Sequence, residues 1–250
     1  MTDPPDRSSC PQGDLAPAPN VIVYGRNPVR EALRGPRSVA RVWATKNTLR
    51  EPWLQVAGGR VFTVDAAEIE RRCGFEAHQG ICAEVSEYRY ADAGELLAVP
   101  NALIVALDQV QDPQNLGAIA RSAECSGAAG IVLPERRSAE VTPAVCKASA
   151  GAVEHLAIAR VRNLSDFLAD AKAAGGWCYG ADADGSVSYD AVDYGGPVTL
   201  VLGSEGRGLR PRVAAACDVL VSVPLRGRIR SLSVSAAAAV LLYAAASDRG

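Results

Sequence analysis

Three stretches of this sequence hold side chains that can do chemistry, each beside the kind of loop that would expose them. The first runs from Asp108 to Arg121, a polar loop followed by a helical pattern. Asp112-Pro113 is turn chemistry, and Asn115 stands where a helix N-cap belongs. Arg121 comes six residues later, near two helical turns, on the flank that Ile119 and Ala120 do not occupy. The second is Gly203-Ser204-Glu205-Gly206-Arg207-Gly208, three glycines around one carboxylate. Glycines there bring backbone close to something, and Glu205 can either hydrogen-bond a ligand or cap the next helix. The third is Ser231-Leu232-Ser233-Val234-Ser235, whose hydroxyls, taken singly, are ordinary helix caps. The glycine loop matches neither the dinucleotide fingerprint nor the Walker loop. No GxGxxG follows an early strand, so a nucleotide-binding oxidoreductase lacks its signature.

The elements that must position these loops are legible as alternation. Val198 to Leu202 is a continuous apolar, β-branched run and reads as a buried strand. A second run, Val219 to Leu225, is broken by Pro224 and leads to an alanine-rich helix over Ala236 to Ala246. Each strand delivers a glycine-bearing loop at its carboxyl end, where open α/β sheets place ligands. Upstream, the pattern predicts strands at Leu103–Leu107, Ile131–Leu133, Leu156–Val161 and Cys178–Ala181. Helices are predicted at Asn115–Ser126, Pro143–Ser149 and Leu164–Ala174. That order is an α/β fold with a mostly parallel sheet covered on both faces. Asp182-Ala183-Asp184-Gly185-Ser186 lacks the later acidic ligands of a calcium loop and reads as a turn.

Ahead of this lies a small α/β module over 21–98, ending in a linker from Asp92 to Pro100, with the larger domain over 99–250. Its first helix opens at Asn27-Pro28, with Asn27 as expected N-cap and Gly35 as its stop. A second helix is expected over Thr48 to Ala57, and Asp65 caps a third ending near Cys73. Arg26, Arg30, Arg34, Arg37, Arg41, Lys46 and Arg50 face only Glu31 and Glu51 in this stretch. They read either as a solvated helix face or as a phosphate-contacting surface.

Composition narrows the class. The chain has 250 residues, 48% hydrophobic and 22% charged, as in ordinary globular proteins, and its net charge of −2 argues against a globally basic binder. Seven cysteines show no CxxC and no Cys/His pairing at metal spacing, so no metal is expected and the thiols read as reduced, in a cytoplasmic protein. Residues 1–20 are rich in Pro, Asp and Ser and read as a disordered tail with no signal peptide. The longest apolar stretch, Val234 to Ala246, is too short to span a bilayer.

Read as a set, Asp112-Pro113-x-Asn115-x-Gly117-x-x-x-Arg121, Gly203-x-Glu205-x-x-Gly208 and Pro224-x-x-Gly227-x-x-x-Ser231-Leu232-x-Val234-Ser235 resemble the three motifs of the SpoU-type (TrmH-like) RNA ribose 2′-O-methyltransferases. The resemblance covers roughly Leu103 to Tyr243. It extends to Gly25-Arg26-Asn27-Pro28-Val29 and His78-Gln79-Gly80-Ile81, which look like the substrate-binding domain of members that methylate a guanosine of large-subunit ribosomal RNA. It implies a C-terminal trefoil-knotted methyltransferase domain, a homodimer with the RNA site across its interface, and S-adenosylmethionine as cofactor. By position Gly203, Val223 and Leu232 would contact that cofactor, largely through backbone. Arg121 would be the central catalytic residue, supported by Asn115, Glu205 and Ser231. Arg26, Arg30, Arg34 and Arg207 are the candidate RNA contacts.

A guanidinium is effectively never deprotonated, so Arg121 would clamp the adjacent phosphate and stabilise the developing alkoxide rather than act as a free base. Two departures stand out: Ser233 occupies a position where the family usually has Asn, and Leu225 one where it usually has Met. Transfer RNA, an antibiotic-resistance methylation of ribosomal RNA, and a non-catalytic RNA-binding protein on the same scaffold are the alternative readings.

Overall fold

The computed structural model describes residues 20–229 and 231–249. The expected tail lies outside the described residues except for Asn20, which opens the first strand. The front unit contains β1 (Asn20–Tyr24), α1 (Arg26–Arg34), β2 (Val39–Ala44), β3 (Val61–Thr63), α2 (Ala66–Cys73) and β4 (Ile81–Ser86). Its four strands lie in the order β1-β4-β2-β3, with β4 antiparallel to both neighbours and β3 parallel to β2.

Three expectations for this unit are corrected. Asn27 lies inside α1 rather than capping it: the N-cap position is Gly25, with no side-chain cap of its own, and the Arg26 amide donates to Gln79 Oε1 at 3.0 Å. A side chain distant in sequence thus does the work assigned to a local cap. The helix expected over Thr48 to Ala57 is instead two 3-10 segments, Thr48–Arg50 and Pro52–Arg60. Glu51 between them is extended, because the residue before a proline is driven out of the helical region. The linker after Asp92 holds a short helix, α3 (Ala93–Leu97), capped by Asp92 through the amides of Gly94 and Glu95. Its Leu96 is buried in the core of the second unit. Asp65 does cap α2, accepting from Glu68 N at 2.8 Å.

The second unit runs β5 (Leu103–Asp108), α4 (Pro113–Cys125), β6 (Gly130–Pro134), α5 (Pro143–Ala148), β7 (Ala157–Val161), α6 (Leu164–Ala173), β8 (Trp177–Ala181), β9 (Val187–Ser188), β10 (Val198–Gly203), α7 (Pro211–Ala216), β11 (Val219–Ser222) and α8 (Val234–Ser247). Its seven-stranded sheet has the order β7-β6-β5-β10-β8-β11-β9, and every pairing is parallel. Alternation at period two sorts each strand between faces. Leu103, Val105 and Leu107 of β5, with Leu200 and Leu202 of β10, join one core cluster; Ile104, Ala106 and Val201 join the other. Helix α8 buries Val234, Ala238, Leu241, Leu242 and Ala245, and its packing against α4 and β10 closes the first of these faces. The strand expected over Val219 to Leu225 ends at Ser222, ahead of Pro224.

The two units share one apolar cluster, which contains Val23, Val29 and Val42 together with Val105, Leu116 and Val145. Across the seam the Arg37 guanidinium donates to both oxygens of Glu154, through Nε at 2.8 Å and through Nη2. The two side chains are 5% and 0% exposed. Arg37 therefore leaves the set of candidate phosphate contacts, since its charge is spent on a buried carboxylate. Cys146 lies within 3.5 Å of the same guanidinium, and burial pushes its thiol up to about 11. Glu31 is bonded by Arg30 Nε at 2.7 Å and lies 2.9 Å from His155 Nε2. Burial works against its charge, but these bonds outweigh it and hold the carboxyl below its ordinary range.

Candidate active site

The carboxyl ends of β5, β8, β10 and β11 lie on one edge of the sheet, and Asn115, Gly203, Glu205, Arg207, Val223, Ser231 and Leu232 gather there. Chain order reverses at β5: the strands after it build outward through β6 and β7, and the later ones fill the other side through β10. Such a switch point leaves a crevice between the loops of neighbouring strands. Asp108 and Gly203, the last residues of β5 and β10, are register partners.

The glycine loop folds back on itself at once. Ser204 and Gly208 exchange backbone hydrogen bonds at 3.2 and 3.0 Å. A Cβ on Gly203 would lie 2.1 Å from the Gly208 carbonyl carbon and 2.4 Å from Leu209 N, so only glycine fits. Gly206 and Gly208 take φ of 76° and 64°, in the left-handed region.

This turn forms one wall of a cavity of about 300 Å³, whose lining includes Gly203, Glu205, Val223, Ser231 and Leu232. A second cavity of about 330 Å³ adjoins it, lined by Gln109, Asp112, Asn115, Glu205 and Arg207 among others. Ser204, Glu205 and Val234 line both, so the three sequence stretches meet around Glu205.

Several positions differ from the sequence reading. Asp112, not Asn115, is the N-cap of α4, accepting from Gln114 N at 3.0 Å. Pro113 then takes the first helical position, which leaves the Asn115 amide in the first turn and lining the cavity. Ser233 lines neither cavity. It caps α8, its Oγ accepting from Ala236 N at 3.2 Å. Asn and Ser are about equally good in that role, so serine here leaves the helix start intact. Arg121 is exposed on α4 and lines neither cavity of the single chain. It stands roughly 9 Å along the helix axis from Asn115. Arg26, Arg30 and Arg34 are also away from the two cavities, on α1, each paired with Glu51 or Glu31.

One anchoring pair escapes a reading of the sequence. The Asp108 carboxylate is fully buried and accepts from Arg210 N at 2.8 Å and Arg210 Nε at 2.7 Å. It ties the end of β5 to the residue that follows the glycine loop. The signal was present: a lone carboxylate directly after five apolar strand residues. Asp182 of the turn after β8 also lines the first cavity, as does Leu225.

The first cavity joins an apolar wall (Leu202, Val221, Val223, Leu225, Leu232) to two carboxylates, Glu205 and Asp182. That lining suits a ligand with a flat apolar part and a positive charge. The second offers an amide, a carboxylate and the Arg207 guanidinium, which suits a polar, partly anionic group. Among the described residues no group of three or more His, Cys, Asp or Glu is arranged to hold a metal ion.

Comparison with known proteins gives a consistent result. Residues 102–243 match the SpoU rRNA Methylase family, and residues 22–91 match the RNA 2′-O ribose methyltransferase substrate binding model. An uncharacterized tRNA/rRNA methyltransferase of Mycobacterium marinum is 41% identical over 238 residues, covering 91% of this chain and 77% of that protein. The AdoMet-bound rRNA methyltransferase from Sinorhizobium meliloti superposes with a TM-score of 0.77 at 29% identity, covering 90% of this chain and 86% of its own. The TrmH/SpoU tRNA modifying enzyme of A. aeolicus gives a TM-score of 0.55 at 28% identity, covering 60% of this chain and 76% of its own.

Proposed function

Because the chain belongs to the SpoU rRNA Methylase family, we propose that it transfers a methyl group from S-adenosylmethionine to a ribose 2′-hydroxyl of RNA, and that its target is a guanosine of large-subunit ribosomal RNA. The observation that carries the reading is the meeting of three distant stretches around Glu205, where Asn115, Gly203, Val223, Ser231 and Leu232 line two adjoining cavities.

The first cavity is the cofactor site. Its apolar wall would take the adenine ring and exclude water, and Gly203, where a side chain would strike the Gly208–Leu209 backbone, lets the loop close tightly along that wall. Glu205 and Asp182 offset the ligand's positive charge. Bound there, S-adenosylmethionine supplies a methyl carbon activated by a sulfonium. The second cavity receives the ribose, with Asn115 and Arg207 in reach of its polar groups.

Arg121 completes the site from a second copy of the chain. Its exposed place on α4, outside both cavities, supports a homodimer in which α4 of one copy faces the cavities of the other. There the guanidinium clamps the neighbouring phosphate and stabilises the 2′-oxygen as its proton leaves to that phosphate or to water. Holding hydroxyl and methyl in line can supply up to roughly 7–11 kcal/mol of the lowering of the barrier.

Ribosomal RNA is favoured over transfer RNA by the front unit. The rRNA-methyltransferase relative from Sinorhizobium meliloti covers 90% of the chain, whereas the tRNA modifying enzyme covers only 60%. The same reading threads the C-terminal segment through the 203–208 loop as a trefoil knot. The shared cavity lining of that loop and Ser231-Leu232, and the place of β10 between β5 and β8, support it. It also puts the protein in the cytoplasm, where its RNA is.

The test is transfer of label from tritiated S-adenosylmethionine to ribosomal RNA from a strain lacking the gene. Label in large-subunit RNA at an alkali-resistant linkage is expected. Label only in transfer RNA overturns the substrate assignment, and binding of RNA without any transfer overturns the activity.

A further inference from the structure

Beyond β6 and β7, on the same edge of the sheet, lies a groove the proposed reaction does not use. It consists of two adjoining cavities. One, of about 280 Å³, is lined by Gln109, Arg136, Arg137, Arg162 and Arg210 among others. The other, of about 800 Å³, adds Asp166 and Arg212 and shares Arg162 and Arg210 with the first.

The charges in this groove are unbalanced. Arg136 and Arg137 come from the loop after β6, Arg162 from the end of β7, and Arg212 from the start of α7. None of these four has a carboxylate within 4.0 Å among the described residues. Arg210 is the exception, held by Asp108, and Asp166 is the one carboxylate in the lining. By contrast Arg160, on the neighbouring strand, is paired with Glu140 and bonded to the Glu135 carbonyl. Four unpaired cations from three separate segments repel one another, and an anion lying in the groove removes that repulsion.

Backbone geometry points to the same place. Five non-glycine residues among those described have positive φ, and two of them, Gln109 at 61° and Arg137 at 58°, line the smaller cavity. Strain of this kind gathers where a side chain is held for a ligand. Gln109 also lines the cavity that holds Asn115 and Glu205, so the groove opens directly from the candidate site.

We infer that this groove holds the phosphodiester backbone of the RNA on one side of the target nucleotide, with Arg136, Arg137, Arg162 and Arg212 on successive phosphates. A single phosphate occupies two or three arginines at one point; cations spread over two joined cavities fit a chain of them. The inference rests on the reading of the chain as an RNA methyltransferase, and it adds the path by which the substrate leaves the site.

The experiment uses the full chain with two double variants, Arg136→Gln/Arg137→Gln and Arg162→Gln/Arg212→Gln, all at exposed positions. The probe is a fluorescein-labelled single-stranded RNA 12-mer, whose binding is followed by anisotropy over a potassium chloride series. Each double variant is expected to flatten the log–log salt slope by about 1.4, at about 0.7 for each phosphate no longer neutralised. S-adenosylmethionine affinity, read by calorimetry, is expected to stay within about twofold, since the cofactor cavity is separate. Wild-type slope and affinity in both double variants overturn the groove. If wild-type protein binds the oligonucleotide with the full slope, the variants flatten it, and no RNA accepts a methyl group, the groove stands and the methyltransferase reading falls.

Discussion

Replacing Gly203 by alanine tests the cofactor cavity at its tightest point. The new methyl would lie 2.1 Å from the Gly208 carbonyl carbon, 2.2 Å from its oxygen and 2.4 Å from Leu209 N. Carbon atoms settle at about 3.5–4.0 Å, so the overlap exceeds 1 Å, and every clashing atom is backbone that cannot rotate away. The relief available is displacement of the 204–208 segment, which breaks the two Ser204–Gly208 hydrogen bonds. At a net ~1 kcal/mol each, about 2 kcal/mol of the closed loop's stability is lost. Any ligand that needs the closed loop then binds about 30-fold more weakly, at about 1.4 kcal/mol per tenfold. The same loss lowers Tm by roughly 4–8 °C in a chain of this size.

Gly206→Ala is the control. No atom lies within 4 Å of its built Cβ, and only the φ of 76° opposes the change. That costs about 1–2 kcal/mol without collision. Calorimetric titration with S-adenosylmethionine, paired with thermal melts, reads both variants. A Gly203→Ala protein that binds the cofactor as wild type does would refute the close-approach argument.

Three further outcomes are expected. Arg121→Lys keeps the charge but loses the planar fork, so most turnover is lost while cofactor binding persists; near-normal kcat rules out the assigned role. Arg37→Ala leaves Glu154 buried and unpaired, which costs about 3–5 kcal/mol in urea unfolding; a change below about 1 kcal/mol means the seam pair is not structural. Glu31 has its folded pKa lowered, so its stabilisation is present above the unfolded value of about 4.3 and is lost as pH falls through the folded value. Glu31→Gln is therefore expected to be less stable than wild type at pH 7, with the gap closing in acid; a gap unchanged between pH 7 and pH 3 would be inconsistent with this.

The legible part of the sequence was the part set by local rules. Continuous apolar runs located β5 and β10 to within a residue, because a strand buried on both faces has no polar side to obscure it. Gly203, Glu205 and Ser231 were singled out by the resemblance of their motifs to a family, and they line one cavity. What escaped was decided across the chain. The orphan amide of Arg26 is satisfied by Gln79, 53 residues away, so the local cap Asn27 was not needed. Arg37 looked like part of a basic surface until Glu154, 117 residues on, took its charge into the seam. Asp108 and Arg210 find each other over 102 residues. No periodicity encodes such partners, and in the single chain Arg121 lines neither cavity.

The central claim is that three loops distant in sequence form one cofactor-holding site to which a second copy adds Arg121. A crystal structure of the chain with S-adenosylmethionine tests it most directly. The account places the ligand against Gly203, Val223 and Leu232, with Arg121 of the second copy opening onto the same space as Glu205 and Ser231. A ligand seated elsewhere, or the second copy's Arg121 remote from those two residues, would contradict it.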